Sequence, residues 1–197
     1  MAYEIFHDTA EGDRTVYVRA TTVLTPYVFE QERPRRITAE ERAVLEGHLE
    51  PDQQPRRRTP PLPEPVAGRY PIHVRFSDVD VYGHVNNVKY FEYLQESRIM
   101  LMSELVERRH FAVVVAQTDV DYLRPLLFRA EPYDCRSTIT RVGTRSMTVE
   151  SELRDTSTDR VLARARVVVV FFDLATNRSA EPDPELREAL LARAVTA

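Results

Sequence analysis

Cysteine is almost absent from this chain, and that scarcity excludes several chemistries at once. Cys135 is the only one, so neither an internal disulfide nor a multi-cysteine metal site can form. It lies in the alternating run Tyr133 to Ile139, where a buried, inert thiol is expected. Tryptophan is missing, and the 5 glycines include no Gly-x-Gly-x-x-Gly, which removes a dinucleotide-binding reading. The 5 histidines are scattered, with no His-x-x-x-His spacing, so no metal and no cofactor are expected. No apolar run is long enough to span a bilayer, and Met1 to Asp8 lacks the basic start and apolar stretch of a signal peptide. A cytoplasmic protein without a membrane partner is the expectation. The net charge of −4 argues against nucleic acid, because phosphate binding needs an excess of Lys and Arg on one face.

What is present suits one good core plus an appendage, since 197 residues with 43% hydrophobic content leave little room for a second full domain. Residues 87 to about 109 read as one long helix. Tyr90, Leu94, Ser97, Leu101 and Leu105 share a face, which Phe91, Met100 and Met102 widen. Four extended runs follow: Phe111 to Tyr122, Glu131 to Val142, Ser146 to Asp155 and Arg160 to Asp173. In the third, Met147, Val149, Ser151 and Leu153 alternate with Thr148, Glu150, Glu152 and Arg154, which predicts one face on the helix and the other in water. The fourth becomes wholly apolar from Val167 to Phe172, as a central strand requires.

The stretch from Arg75 to Tyr90 (RFSDVDVYGHVNNVKY) sets two carboxylates and a Gly-His turn directly before the helix start. Pro71 to Phe76 read as extended, Gly83 punctuates the run, and Asn86-Asn87 supply helix-capping chemistry, giving the order strand, loop, helix. The first N–H groups of a helix lack intrahelical partners and can stabilise an oxygen that becomes negative, while a nearby carboxylate attacks or activates water. Ordinary turn chemistry would also account for Asp78, Asp80 and a packed His84. Asp119 and Asp121 share a strand face, where edge solubility and a salt bridge to Arg124 explain them more simply than a second acid group.

The string Asp78-x-Asp80-x-x-Gly83-His84-Val85-Asn86-Asn87, followed by an aromatic-rich helix carrying Glu92, Glu96 and Arg98, resembles the hotdog-fold thioesterases of the 4-hydroxybenzoyl-CoA thioesterase-like group. The resemblance covers residues 70 to 197. It implies an α+β hotdog fold, an antiparallel sheet wrapped around a long central helix, and hydrolysis of an acyl-CoA thioester at a site formed in a homodimer or homotetramer. It implies that Asp80 is the catalytic nucleophile or general base. Gly83 and His84 would shape the loop, and Asn87 would lie where a backbone N–H polarises the thioester carbonyl. A weaker likeness to plant acyl-ACP thioesterases keeps Asp80 and His84 but has Tyr82 where those enzymes place Asn. An acyl-ACP donor, or a non-catalytic acyl-CoA-binding subunit, are the alternatives.

Residues 47–68 are rich in proline and contain Arg56-Arg57-Arg58, which reads as a solvated linker before the complete unit, 69–197. Residues 1–46 resemble the end of that unit. At a fixed offset of 145, Val16, Arg19, Ala20, Val23, Arg33, Glu40, Arg42 and Leu45 match Val161, Arg164, Ala165, Val168, Arg178, Glu185, Arg187 and Leu190. Glu4-Ile5 matches Glu152-Leu153 after a short insertion. The expectation is a partial hotdog repeat, a strand hairpin plus helix, that lacks its own first strand, catalytic loop and central helix, with that missing part either encoded upstream of Met1 or lost by deletion.

Overall fold

A computed structural model of the chain describes residues 1–31, 33–49, 58–105 and 111–195. It divides into two compact units, Met1–Pro55 and Arg56–Ala197. In the first, β1 (Ala2–Asp8) and β2 (Arg14–Thr21) form an antiparallel hairpin, and β3 (Tyr27–Val28) pairs with β4 (Arg33–Pro34). Helix α1 (Ala39–Glu46) starts at a capping box in which Thr38 and Glu41 satisfy each other's backbone N–H groups. Tyr3, Ile5, Tyr17 and Val18 on the hairpin, and Val44 and Leu45 on α1, are all exposed.

The second unit runs β5 (Gly68–Ile72), α2 (Asn87–Leu105), β6 (Ala112–Tyr122), β7 (Tyr133–Val142), β8 (Ser146–Arg154), β9 (Val161–Asp173), β10 (Arg178–Ser179) and α3 (Pro184–Arg193). These strands make a six-stranded antiparallel sheet: β9 lies between β8 and β6, β8 pairs with β7, β7 with β5, and the short β10 with the end of β9. The apolar run Val167 to Phe172 therefore is central, as its composition requires. The expected extended run Pro71 to Phe76 ends early, since β5 stops at Ile72 and a short 3-10 turn occupies Phe76–Asp78. Pro71 is tolerated because β5 is an edge strand paired only with β7. Gly68 lets that edge approach the helix, because a Cβ there would lie 2.9 Å from Leu101 Cδ1.

Helix α2 packs one face on the sheet. Tyr90, Tyr93, Leu94, Ser97, Leu101 and Met102 are buried, whereas Val88, Phe91, Ile99 and Met100 are exposed. The buried stripe thus turns toward Tyr93 rather than Phe91, and residues 106–109 of the expected helix, with the Leu105 side chain, lie outside the described residues. Tyr90, Tyr93 and Leu94 cluster with Leu153, Ala163 and Ala165, while Leu101 joins Ile139, Met147, Val149 and Val169 with Leu186 and Leu190 of α3. Each such aliphatic side chain contributes roughly 1.5–3 kcal/mol by leaving water. Cys135 is fully buried, and burial pushes its thiol up to about 11.

The outer face of β8 corrects a second expectation. Thr148, Glu150 and Glu152 are buried, not solvated. The proline-rich stretch, expected as a free linker, binds this face from Thr59 onward. The Thr59 N–H donates to Asp121 on β6 at 2.6 Å, the Leu62 N–H to Glu152 on β8 at 3.2 Å, and the Ala67 N–H to Thr138 on β7 at 3.0 Å. Asp121 thus anchors this strap, Asp119 accepts from Gln117, and Arg124 donates to the Val161 carbonyl. Glu152 also receives Arg154 at 2.6 Å and Arg164 at 2.8 Å. Burial opposes the Glu152 charge, but Arg164, the Leu62 N–H and Arg154 outweigh it and hold the carboxyl below the usual range. Arg56 and Arg57 lie outside the described residues.

Candidate active site

The loop between β5 and α2 is a miniature antiparallel turn. The Asn86 N–H donates to the Asp78 carbonyl at 2.8 Å, Val79 bridges Val85, and the Asp80 N–H donates to the His84 carbonyl at 2.8 Å. Gly83 closes it with φ of 76°, a left-handed conformation that favours glycine. The Asp80 Oδ1 accepts the Tyr82 N–H at 2.9 Å and the His84 N–H at 3.2 Å. Its Oδ2 meets no donor among the described residues and the side chain is exposed. One oxygen orients the carboxylate while the other stays available. The backbone of His84 bridges Leu127, and the Val85 N–H donates to the Leu126 carbonyl at 2.9 Å, which ties the loop to the segment after β6.

The helix begins where the sequence placed it. Asn86 caps α2 by accepting the Val88 N–H at 3.1 Å, and Asn87 is its first residue. Among the described residues no acceptor meets the Asn87 N–H, as is usual for the first turn of a helix. The Asn87 carbonyl faces the Tyr122 hydroxyl at 3.4 Å, and Tyr122 packs edge-on against Tyr90, with ring centroids 4.9 Å apart. Burial pushes the Tyr90 hydroxyl up to about 12, and that hydroxyl accepts the Leu126 N–H at 3.1 Å. Asp80, Gly83, His84 and Asn87 are thus gathered in one loop and helix start.

Asp78 is the residue whose weight sequence reasoning missed. It is 1% exposed, and its Oδ2 accepts the Tyr93 hydroxyl at 2.7 Å and the Arg75 N–H at 3.0 Å. Its Oδ1 lies 3.1 Å from Arg75 Nη2 and 4.0 Å from Lys89 Nζ. Burial opposes the charge, yet the Arg75 side chain, the Arg75 N–H and the Tyr93 hydroxyl together hold the carboxyl below its ordinary range. Burial first, and then Asp78, push the Tyr93 hydroxyl far above a free phenol. Asp78 therefore fastens the loop to the buried side of α2. The signal that could have found it is Tyr93, one helical step beyond the aromatic stripe.

Two of the clefts among the described residues open on this unit. One of about 130 Å³ lies between α2 and the sheet, lined by Phe91, Leu94, Gln95, Arg98, Val115, Thr118 and Val167. The other, about 330 Å³, is lined by Arg69, Tyr70, Pro71, Pro132, Tyr133, Asp134, Arg136 and Thr156 at the β5–β7 edge. The larger adjoins the loop through β5 and through the Tyr133 hydroxyl, which bonds the Leu127 backbone that bridges His84, whereas the smaller runs along the helix that Asn87 begins. No group of three His, Cys, Asp or Glu side chains that could hold a metal occurs among the described residues. No described helix is long and apolar enough to cross a membrane.

This loop, helix and sheet define a class of protein. A family profile described as the thioesterase-like superfamily matches residues 74–190. The chain belongs to that superfamily and has its hotdog fold. It is 28% identical over 124 residues to the long-chain acyl-CoA thioesterase FadM of Escherichia coli, a match spanning 60% of this chain and 93% of FadM. Among solved structures, a thioesterase from Thermus thermophilus complexed with coenzyme A and zinc superimposes with a TM-score of 0.58 and 28% identity, over 66% of this chain and 95% of that one. A putative acyl-CoA thioesterase from Xanthomonas campestris gives a TM-score of 0.52 and 32% identity, over 60% of this chain and 100% of that one.

Proposed function

We propose that the protein hydrolyses acyl-CoA thioesters to the free acid and coenzyme A, with Asp80 as the reacting carboxylate and the Asn87 N–H as the oxyanion donor. The observation that carries this reading is the Asp80 carboxylate, oriented through one oxygen by the Tyr82 and His84 N–H groups immediately before a helix start whose first N–H meets no acceptor among the described residues. Likeness to FadM supports the acyl-CoA class.

In the proposed reaction the acyl group enters the cleft between α2 and the sheet. The thioester carbonyl oxygen accepts the Asn87 N–H, and the Asp80 carboxylate either attacks the carbonyl carbon or takes a proton from the water that does. The tetrahedral oxyanion gains a stronger hydrogen bond than the ground-state carbonyl had, the C–S bond breaks, and the CoA thiolate leaves and takes up a proton; where Asp80 is the nucleophile, water then cleaves the acyl–Asp80 anhydride, releasing the free acid and regenerating the carboxylate. Water is the only co-substrate. Gly83 and His84 act through the backbone turn that holds Asp80. The reaction takes place in a homodimer or homotetramer, because β6 is an edge strand whose Val113, Val114 and Val115 are exposed, and the outer stripe of α2 is apolar.

Free-thiol release across an acyl-CoA series tests this. Asp80→Asn is expected to lower turnover by roughly two to four orders of magnitude without unfolding the protein. Asp78→Asn is expected to lower stability by about 2–3 kcal/mol instead, through the loss of a buried hydrogen-bonded charge. Near wild-type turnover in a folded Asp80→Asn variant would remove Asp80 from the mechanism.

A further inference from the structure

The two hairpins β1–β2 and β8–β9 share one register. Glu4 stands opposite Arg19 as Glu152 stands opposite Arg164, and Ile5 opposite Val18 as Leu153 opposite Ala163. Both ladders slip at the next step, between Ile5 and Phe6 and between Leu153 and Arg154. The cross-strand ion pair is repeated as well, Arg19 to Glu4 at 2.9 Å and Arg164 to Glu152 at 2.8 Å. Downstream, Val28 opposite Arg33 and Tyr27 opposite Pro34 fall 145 positions before Asp173 opposite Arg178 and Phe172 opposite Ser179. Helix α1 starts 145 positions before α3, after the caps Thr38 and Asp183, which accept the N–H of Glu41 and Leu186.

The continuous β9 has a broken counterpart, β2 and β3 in two separate sheets, and the surroundings differ as well. Leu153, Ala163 and Ala165 are buried in the cluster that contains Tyr90, Tyr93 and Leu94 of α2, whereas their counterparts Ile5, Val18 and Ala20 share one exposed face with Tyr3. β9 has β6 along its other edge and β8 has β7, while β2 and β1 pair only with each other. A two-stranded hairpin with an open apolar face is marginal in water. Charge is unbalanced in the same way. Arg164 lies between Glu152 and Asp121, but Arg19 has only Glu4 across from it in its two-stranded sheet.

We infer that the Tyr3, Ile5, Val18 and Ala20 face, with the open edges of β1 and β2, is a docking surface for the complementary half of a hotdog fold. The occupant is a polypeptide segment built like residues 69–148: a long amphipathic helix seated on that face, and a strand antiparallel to β2 that sets a small apolar residue opposite Ala20 and an acid opposite Arg19. The inference does not depend on the role of Asp80.

The test fuses a copy of residues 69–148 ahead of Met1 in the full chain, which gives Ile5 the spacing from that copy that Leu153 has from its own. Amide hydrogen exchange is followed in β1 and β2, with β8 and β9 as the internal reference. Exchange in β1 and β2 is expected to slow by about 100-fold in the fusion relative to the unfused chain. Ile5→Lys with Val18→Lys in the fusion should abolish that slowing and leave β8 and β9 unchanged. A fusion whose β1 and β2 amides exchange as in the unfused chain overturns the inference, whether or not the added half folds. So does an unfused chain whose β1 and β2 are already as protected as β8 and β9. If that protection rises with concentration alongside a doubled sedimentation mass, a second copy is the occupant.

Discussion

Glu4 and Glu152 hold an arginine across a strand pair at 2.9 and 2.8 Å, yet the first pair is 75% and 42% exposed and the second 25% and 2%. The bulge, register and charges are alike. Cross-strand pairing is thus written locally in both hairpins, whereas the energy the pairing carries comes from what covers it: α2 beneath β8–β9 and the Thr59 to Ala67 strap above.

The sharpest way to break this comparison is at the glutamates. Glu152→Gln leaves Arg154 and Arg164 without their buried carboxylate and should cost about 4 kcal/mol, read from urea unfolding. Glu4→Gln should cost under about 0.5 kcal/mol, as exposed pairs do. Next come the apolar neighbours. Leu153→Ala should lose about 3 kcal/mol by opening a cavity against Tyr90 and Leu94, while Ile5→Ala should change thermal unfolding by about 0.5 kcal/mol or less. Equal effects in either pair would mean that the N-terminal hairpin is covered in solution.

A smaller effect concerns acid. The Glu152 carboxyl is held below its ordinary value of 4.5, so the stability it contributes is present above that value and is lost as pH falls through its folded value. Unfolding free energies from urea titrations between about pH 6 and about pH 3 should therefore fall less steeply in Glu152→Gln than in the parent. Identical slopes would place the acid sensitivity at other carboxylates.

Much of this was legible in the chain. The Asp-x-Asp-x-x-Gly-His turn, the Asn cap and the apolar Val167 to Phe172 run each depend on neighbours close in sequence, and their conformations follow from them. What escaped reading depends on distant partners. Nothing within a few residues of Asp78 announces Tyr93, and the alternation of Thr148, Glu150 and Glu152 looks like a wet face until the strap is seen to lie on it. The same pattern misread Asp121, whose partner is the Thr59 N–H, 62 residues away. Proline suggested a linker because it lacks an N–H, but the donors that matter are those of Thr59, Leu62 and Ala67, between the prolines.

The strap is also a ruler. Asp121 and Glu152 occupy one row of the sheet with Arg164 between them, so their backbones are two strand spacings apart, about 9.6 Å. Thr59 and Leu62 are three residues apart, and a polyproline stretch advances about 3.1 Å per residue, giving about 9.3 Å. Pro60 and Pro61, which carry no N–H, set the spacing at which the successive N–H groups of Thr59 and Leu62 fall on β6 and β8, two strands apart. Residue count between Thr59 and Leu62 is therefore the constraint: one residue inserted or deleted there puts one of these two amides out of step with its carboxylate, Asp121 or Glu152.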